Sequence, residues 1–377
     1  MQFSYWENQH FINKVDLVVI GSGIVGLNAA IAFKKKYPKK QVTIIEKGIL
    51  PSGASTKNAG FACIGSVSEL SDDLLHIDEQ SVWETVQLRN SGLVKLRQLI
   101  GDKNMNYLHF GGFEVFDSKK EFEENEQKIH EYNKKLKSIT GIEKTFRVNK
   151  NKIRNSGFKG FKYCIENRAE GQLNTGLMMR NLLYLAHLNG ILIINNTEVF
   201  SIHDNADFVE LVCSNNLILN SKKVIVAING FAKKLLKIKD VEPARAQVLV
   251  THPIKNLKIK GSFHYQSGYY YFRNIDNRIL FGGGRNLDFK TENTAEFGLT
   301  PIIQKKLESI LRNKILPHEK YSIDQRWSGI MGVGSEKKPI IKSISPNVVC
   351  AVRMGGMGVA IGSLVGEMAV KELLHPN

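Results

Sequence analysis

Apolar residues follow two rhythms along this chain, and the switches between them predict where strands and helices fall. Val15 to Ile20 is a β-branched run that ends in GSGIVG and passes into LNAAIAF, whose apolar residues recur at helical spacing. After the basic stretch KKKYPKK, the segment QVTIIEKG reads as a second buried strand ending in an acid, which completes strand, helix and strand. From Glu69 to about Thr145 the period is mostly helical. Phe122, Ile129, Tyr132, Leu136 and Ile139 form one apolar stripe there, and FGGFEVFD reads as a strand between helices. Leu173 to Leu188 predicts another helix, followed by the strand-like runs ILIINNTEVFSI, FVELVCS and KKVIVAING.

From about Val241 to Gly284 the pattern alternates with period two through QVLVTHPI, YYYFRN and RILFGGG, as an antiparallel sheet does. A helix is expected near Ile302 to Leu311. The last segment, NVVCAVRMGGMGVAIGSLVGEMAVKELL, reads as strand, glycine turn and long closing helix. The predicted class is α/β with an α+β second domain: a Rossmann-like nucleotide-binding domain interleaved with a substrate domain on a mostly antiparallel sheet. The expected boundaries are 1–68, 150–235 and 320–377 for the first domain, and 69–149 and 236–319 for the second.

Composition narrows the classes. A chain of 377 residues suits two domains, and 42% hydrophobic with 23% charged residues argues against disorder or a fibrous protein. The excess of 52 Lys+Arg over 36 Asp+Glu, a formal +16, could favour nucleic acid, an anionic membrane surface or an acidic substrate. The basic residues are scattered through Lys34 to Lys40, Lys134 to Lys137 and Lys233 to Lys239 rather than joined to aromatics in a recognisable nucleic-acid motif, so a solvated lysine surface is expected and a nucleic-acid partner is not. Peripheral membrane contact stays open. Cys63, Cys164, Cys213 and Cys350 lie far apart, with no CxxC pair and no metal-ligand spacing to histidine, which implies reduced thiols in a cytoplasmic protein and no metal. The start has no signal-peptide order, and the long apolar run Leu17 to Phe33 contains the turn glycines, so no membrane span is expected.

The chemistry begins at the first turn. Gly21, Gly23 and Gly26, with Ser22, Ile24 and Val25 between them, form GxGxxG between a strand and a helix, where the helix N-terminus faces a pyrophosphate. Glu46, followed by Lys47, ends the second strand, where a carboxylate accepts hydrogen bonds from both ribose hydroxyls of an unphosphorylated dinucleotide, FAD or NAD. The small and hydroxyl residues of PSGASTKNAGFACIGS suit wrapping the longer cofactor, and the glycines before the closing helix suit its flavin end.

GASTKNAGF, EGQLNT (Glu170 to Thr175), PARAQVLVTHP (Pro243 to Pro253) and WSGI…PII…GGMGV resemble the D-amino-acid oxidase superfamily over nearly the whole chain. Within it the chain resembles the glycine oxidase, sarcosine oxidase and γ-glutamylputrescine oxidase branch, and the opening SYWE points to the last of these. The resemblance implies FAD, oxidation of a C–N bond in an amine or amino acid by hydride transfer to flavin N5 with hydrolysis of the imine, and O2 or another electron acceptor. It places Ala54, Ser55, Thr56, Asn58, Ala59, Gly60 and Phe61 along the cofactor, the Val199 backbone at the adenine, Ala227, Asn229 and Gly230 at the cofactor, and Gly355, Gly356, Met357, Gly358 and Val359 at the isoalloxazine.

For the substrate, the resemblance implies Tyr270 and Arg285, counted from Arg278. Met331 and Gly356 stand where amino-acid-oxidising relatives carry carboxylate-binding arginines, so an amine, or an acid bound through Arg285 or Arg353, is favoured over a simple α-amino acid held in the usual way. Gly329 and Leu280 fall near the places of the flavin-linking cysteine and the oxygen-activating lysine of sarcosine oxidases, which implies noncovalent FAD. Two other flavin readings remain at this point: a hydroxy-acid or glycerol-phosphate-like dehydrogenase with His264 or His109 as base, and a flavoprotein acting on modified tRNA. Cys63, close to the flavin loop, is a lesser candidate for substrate contact.

Overall fold

In the computed structural model, which describes residues 3–13 and 15–375, the Val15–Ile20 strand lies at the centre of an eight-stranded sheet. It pairs in parallel with Val42–Ile45 on one side and Ile218–Val226 on the other, and Leu192–Ile194 and Val348–Val352 extend the parallel block outward. The central runs are mostly apolar because both faces of the sheet are covered there, whereas the first half of Ile218–Val226, with Asn220, Lys222 and Lys223, alternates toward solvent. Leu17, Val18 and Val19 have no exposed surface at all. The antiparallel Ile340–Ser345 strand closes one edge, and the Val199–Asp204 and Val209–Cys213 hairpin branches from Ile218–Val226.

Ile24–Lys36 and Gly358–Leu374 are the helices that follow the two glycine turns, and Glu79–Ile100 packs beside the second, with Ser363 Oγ donating to the Gly92 carbonyl at 2.6 Å. The expected stripe from Phe122 to Ile139 is cut at Gln127 and Lys128 into two helices, Lys119–Glu126 and Ile129–Thr140, and all five of its residues still pack into one core.

The second eight-stranded sheet runs Ile323–Val333, Glu242–Thr251, Arg278–Gly283, Tyr270–Ile275, Ser262–Tyr265, Gly112–Phe116, Tyr163–Asn167 and Phe146–Val148. It is antiparallel except where Ser262–Tyr265 meets Gly112–Phe116. Tyr163–Asn167 and Ile323–Val333 fall within segments assigned to the nucleotide domain, yet they pair with Gly112–Phe116 and Glu242–Thr251 in the second sheet. Backbone pairing between segments far apart in sequence decided this, and a local pattern does not report it.

One face of this sheet carries Phe113, Phe263, Phe272 and Phe281 against the Pro301–Ile310 helix. The opposite face carries Val248, Val250 and Leu280 against Ala59 and Phe61 of the cofactor loop. The site is built where that second face meets the first sheet.

Among the described residues no helix is long and apolar enough to cross a membrane.

Candidate active site

Two helix starts define the ends of the site. The Ile24–Lys36 helix begins after Gly23 and the Gly358–Leu374 helix after Met357, and neither has a side-chain cap. By contrast, Ser66, Asp78 and Asn174 cap the helices that start at Val67, Glu79 and Thr175. First-turn amides without a cap offer donors and a positive dipole to a negative group. Ile24 N–H is already given to Ser55 Oγ at 2.9 Å, which ties the turn to the next loop. Gly26 lets the turn and helix meet: a Cβ there would stand 1.9 Å from the Gly21 carbonyl oxygen.

Glu46 is 5% exposed and holds this end together. Its Oε2 accepts from Ser22 N (3.0 Å) and Oγ (2.7 Å), and its Oε1 from Gly48 N (2.9 Å) and Ser52 Oγ (2.8 Å). The loop after it is braced by Asn58, whose Nδ2 donates to Ser55 O at 2.8 Å and whose Oδ1 accepts from Gly60 N and Thr175 Oγ1, both at 2.9 Å.

A continuous cavity of about 1460 Å³ runs between the two sheets from Glu46 and Val199 to Met331 and Gly356. Every residue expected at the cofactor lines it except three: Gly21, Gly23, Ile24, Val25, Lys47, Ala54, Ser55, Asn58 through Phe61, Ala227, Asn229, Gly230 and Gly355 through Val359 are all on the wall. Of the exceptions, Ser22 supports Glu46, Gly26 packs beneath the turn, and Thr56 Oγ1 donates to Pro51 O at 2.7 Å.

The substrate side departs from expectation at Tyr270. Its side chain is 1% exposed, lies among Tyr265 and Phe281 in the aromatic core, and is absent from the cavity wall. Alternation along Tyr270–Ile275 sends Tyr271 to the cavity instead, where it packs edge-on to Phe61, and Tyr269 also lines it. Arg285 is on the wall as expected. Its guanidinium lies over Phe289 at 4.9 Å, and its Nε is enclosed without a hydrogen bond.

Met331 and Gly356 come together, with the Met331 sulfur 3.5 Å from where a Gly356 Cβ would stand. Together they form one apolar corner of the cavity. Arg353 does not line it, because Asp240 and the Lys338 carbonyl engage the guanidinium away from the cavity. His109 is also off the wall, bonded through Nε2 to the Arg168 carbonyl at 2.8 Å.

Several wall residues had no distinct sequence signal. Lys57 sits inside the GASTKNAGF motif, with Nζ over Phe297 at 5.1 Å. Lys337 pairs with Asp73 (2.6 Å) and Glu69 (3.3 Å), and Arg89 stands 3.5 Å from Glu69. Burial opposes the Glu69 charge, but Lys337, Arg89 and His264 outweigh it and hold the carboxyl at about 2. His264 reaches the wall with its Nε2 3.5 Å from Glu170 Oε2, a charge contact that leaves Nε2 without a hydrogen bond. Burial works against its imidazolium, yet the adjacent Glu170, with Glu69 and Glu114, raises its proton affinity above the ordinary range. Cys63 lies beside it, its thiol pushed well up by burial and by Glu170 and Glu69.

Residues 16–372 match the family model described as FAD dependent oxidoreductase. No curated protein matches the sequence. Among solved structures the chain is similar to L-proline dehydrogenase from P. horikoshii (18% identity, TM-score 0.76, covering 97% of this chain and 94% of that one). It is also similar to glycine oxidase from Bacillus cereus (16%, 0.77, 97% and 96%) and to iminodiacetate oxidase from Chelativorans sp. (17%, 0.72, 95% and 95%).

Proposed function

Because this chain belongs to the FAD dependent oxidoreductase family along nearly its whole length, we propose that it oxidises a C–N bond in an amine, or in an amino acid whose carboxylate is held outside the usual arginine clamp. The observation that carries this reading is the pairing of an apolar Met331–Gly356 corner with Arg285 on the wall of the same cavity. The L-proline, glycine and iminodiacetate enzymes of similar fold support the C–N assignment by analogy.

The residues present fit FAD. Two uncapped helix starts face the two ends of one long cavity, and a buried carboxylate sits at the nucleotide end. Glu46 would hold the ribose hydroxyls, the Ile24 helix start the pyrophosphate, and the turn at Gly355 to Gly358 the flavin pyrimidine carbonyl. When bound, FAD supplies the hydride acceptor, and nothing in the protein need take an electron. Tyr271, Phe61 and Phe297 exclude water, which favours a neutral, reactive amine. Arg285, with donors to spare, meets a carboxylate or another polar tail. FAD is held noncovalently, the acceptor is O2 or another oxidant, and four free, buried cysteines agree with a reducing cytoplasmic setting.

The test is anaerobic bleaching of the purified flavoprotein by a panel of amines, D- and L-amino acids and hydroxy acids. Bleaching by one or more nitrogen substrates is expected. Bleaching by hydroxy acids alone, or protein that purifies without flavin, overturns the reading.

A further inference from the structure

Cys63, Glu170 and His264 come from three remote segments and converge beside the cavity. All three are buried, and their sulfur, oxygen and nitrogen donor atoms lie within 4.8 Å of one another. None is needed for the cofactor contacts above. Each is nonetheless presented with care. Glu170, 1% exposed, spends Oε1 on the amides of Ile64 (3.0 Å) and Gly65 (3.1 Å) and on Asn167 Nδ2 (3.1 Å), which leaves Oε2 turned toward His264. Gly112 makes room for that oxygen, since a Cβ there would fall 1.8 Å from it. His264 Nε2 is enclosed, its side chain only 7% exposed, and it has no hydrogen-bond partner although it stands 3.5 Å from Oε2. A buried polar atom left unbonded calls for an explanation.

We propose that Cys63, Glu170 and His264 bind one divalent transition metal, zinc by donor set, with a fourth coordination position open to the cavity. Tetrahedral zinc with nitrogen and oxygen ligands at about 2.0–2.2 Å sets those two atoms roughly 3.3–3.5 Å apart. His264 and Glu170 already have that spacing. The Cys63 sulfur lies within 4.8 Å of both atoms and closes on the metal as the third ligand. A thiolate in the set selects against magnesium and calcium. The hydrogen bonds to Glu170 Oε1 are of the kind that orient ligating carboxylates.

The surroundings also suit a cation. Glu114 is buried nearby on Ser66 and Ser68, and Glu69 stands close, balanced in part by Lys337 and Arg89. On binding, a metal–sulfur bond forms as the thiol proton leaves to solvent, and His264 coordinates as neutral imidazole after shedding any proton. No electron moves. Cys63 and His264 line the cavity, so the open position faces it and offers an electrophilic centre in a chamber without the family's clamping arginines.

The experiment uses the flavin-loaded protein, dialysed against chelator, equilibrated with zinc alone and desalted. Elemental analysis is expected to find one zinc per chain. Cys63→Ser and His264→Ala, checked for flavin content and far-UV circular dichroism, should each weaken zinc binding at least tenfold, since even outer-shell changes cost roughly 10–100-fold. X-ray absorption at the zinc edge of the unmodified protein should show one sulfur at about 2.3 Å with lighter ligands, a result that does not depend on any variant folding. Sub-stoichiometric zinc, equal binding by the variants, or a first shell without sulfur each overturns the proposal. None of these outcomes bears on substrate oxidation, so failure here is distinct from failure of the bleaching test.

Discussion

At the scale of single residues, the tyrosine strand shows how one step along a β-strand reverses a role. Tyr270 and Tyr271 are neighbours in sequence, yet one lies in the aromatic core and the other on the cavity wall. Tyr270→Phe should therefore leave substrate kinetics unchanged within twofold. Tyr271→Phe should lower kcat/KM on whichever panel member bleaches the flavin, and stopped-flow reduction of the two variants checks both. Arg285→Ala should raise KM by roughly 10–100-fold for a carboxylate-bearing substrate, because a hydrogen bond to a charged group is worth about 1.5–3 kcal/mol. A simple amine should feel that change little. The comparison separates the two substrate classes that Met331 and Gly356 leave open.

At the scale of elements, the glycine turns were the most legible part of the chain. Gly21 holds a positive φ of 101° and Gly26 meets the Gly21 carbonyl, both constraints of the turn itself, so the spacing alone announces them. Gly26→Ala should push the Ile24–Lys36 helix off the first strand, lower stability by about 1–3 kcal/mol and strip the flavin, which thermal melting and the absorbance ratio of flavin to protein would show. The mostly helical period from Glu69 was also legible, but the link of the Val67–His76 helix to the segment before Ile340 was not. That link is Lys337 on Glu69 and Asp73.

It carries a pH signature. The Glu69 carboxyl titrates at about 2 rather than 4.5, so its stabilising contribution is complete above about pH 4.5 and is lost as the pH falls toward 2. In that window the natural chain should lose stability of order 3 kcal/mol that Glu69→Gln does not lose, an upper figure from the shift. Denaturant melts of the two proteins at pH 5 and pH 3 should read about 2 kcal/mol of that difference, the rest being lost below pH 3. Parallel pH profiles would refute it.

At the scale of the whole molecule, the strand, turn and helix series, the nucleotide signature and the ordering of motifs were all present in the sequence. From them followed a two-part α/β protein and a flavin dinucleotide. Each rests on backbone geometry satisfied locally: a turn that needs glycine, a strand buried on both faces, a helix left uncapped at a ligand. What the tertiary structure alone decided is which side chains from distant segments share a space. It set Tyr163–Asn167 and Ile323–Val333 in the second sheet, turned Tyr270 away and Tyr271 inward, joined Met331 to Gly356, and brought Cys63, Glu170 and His264 together although no spacing in the chain relates them. Such meetings depend on strand register and on how two sheets face each other. They are fixed by burial summed over the whole core, and no short stretch of sequence contains that sum.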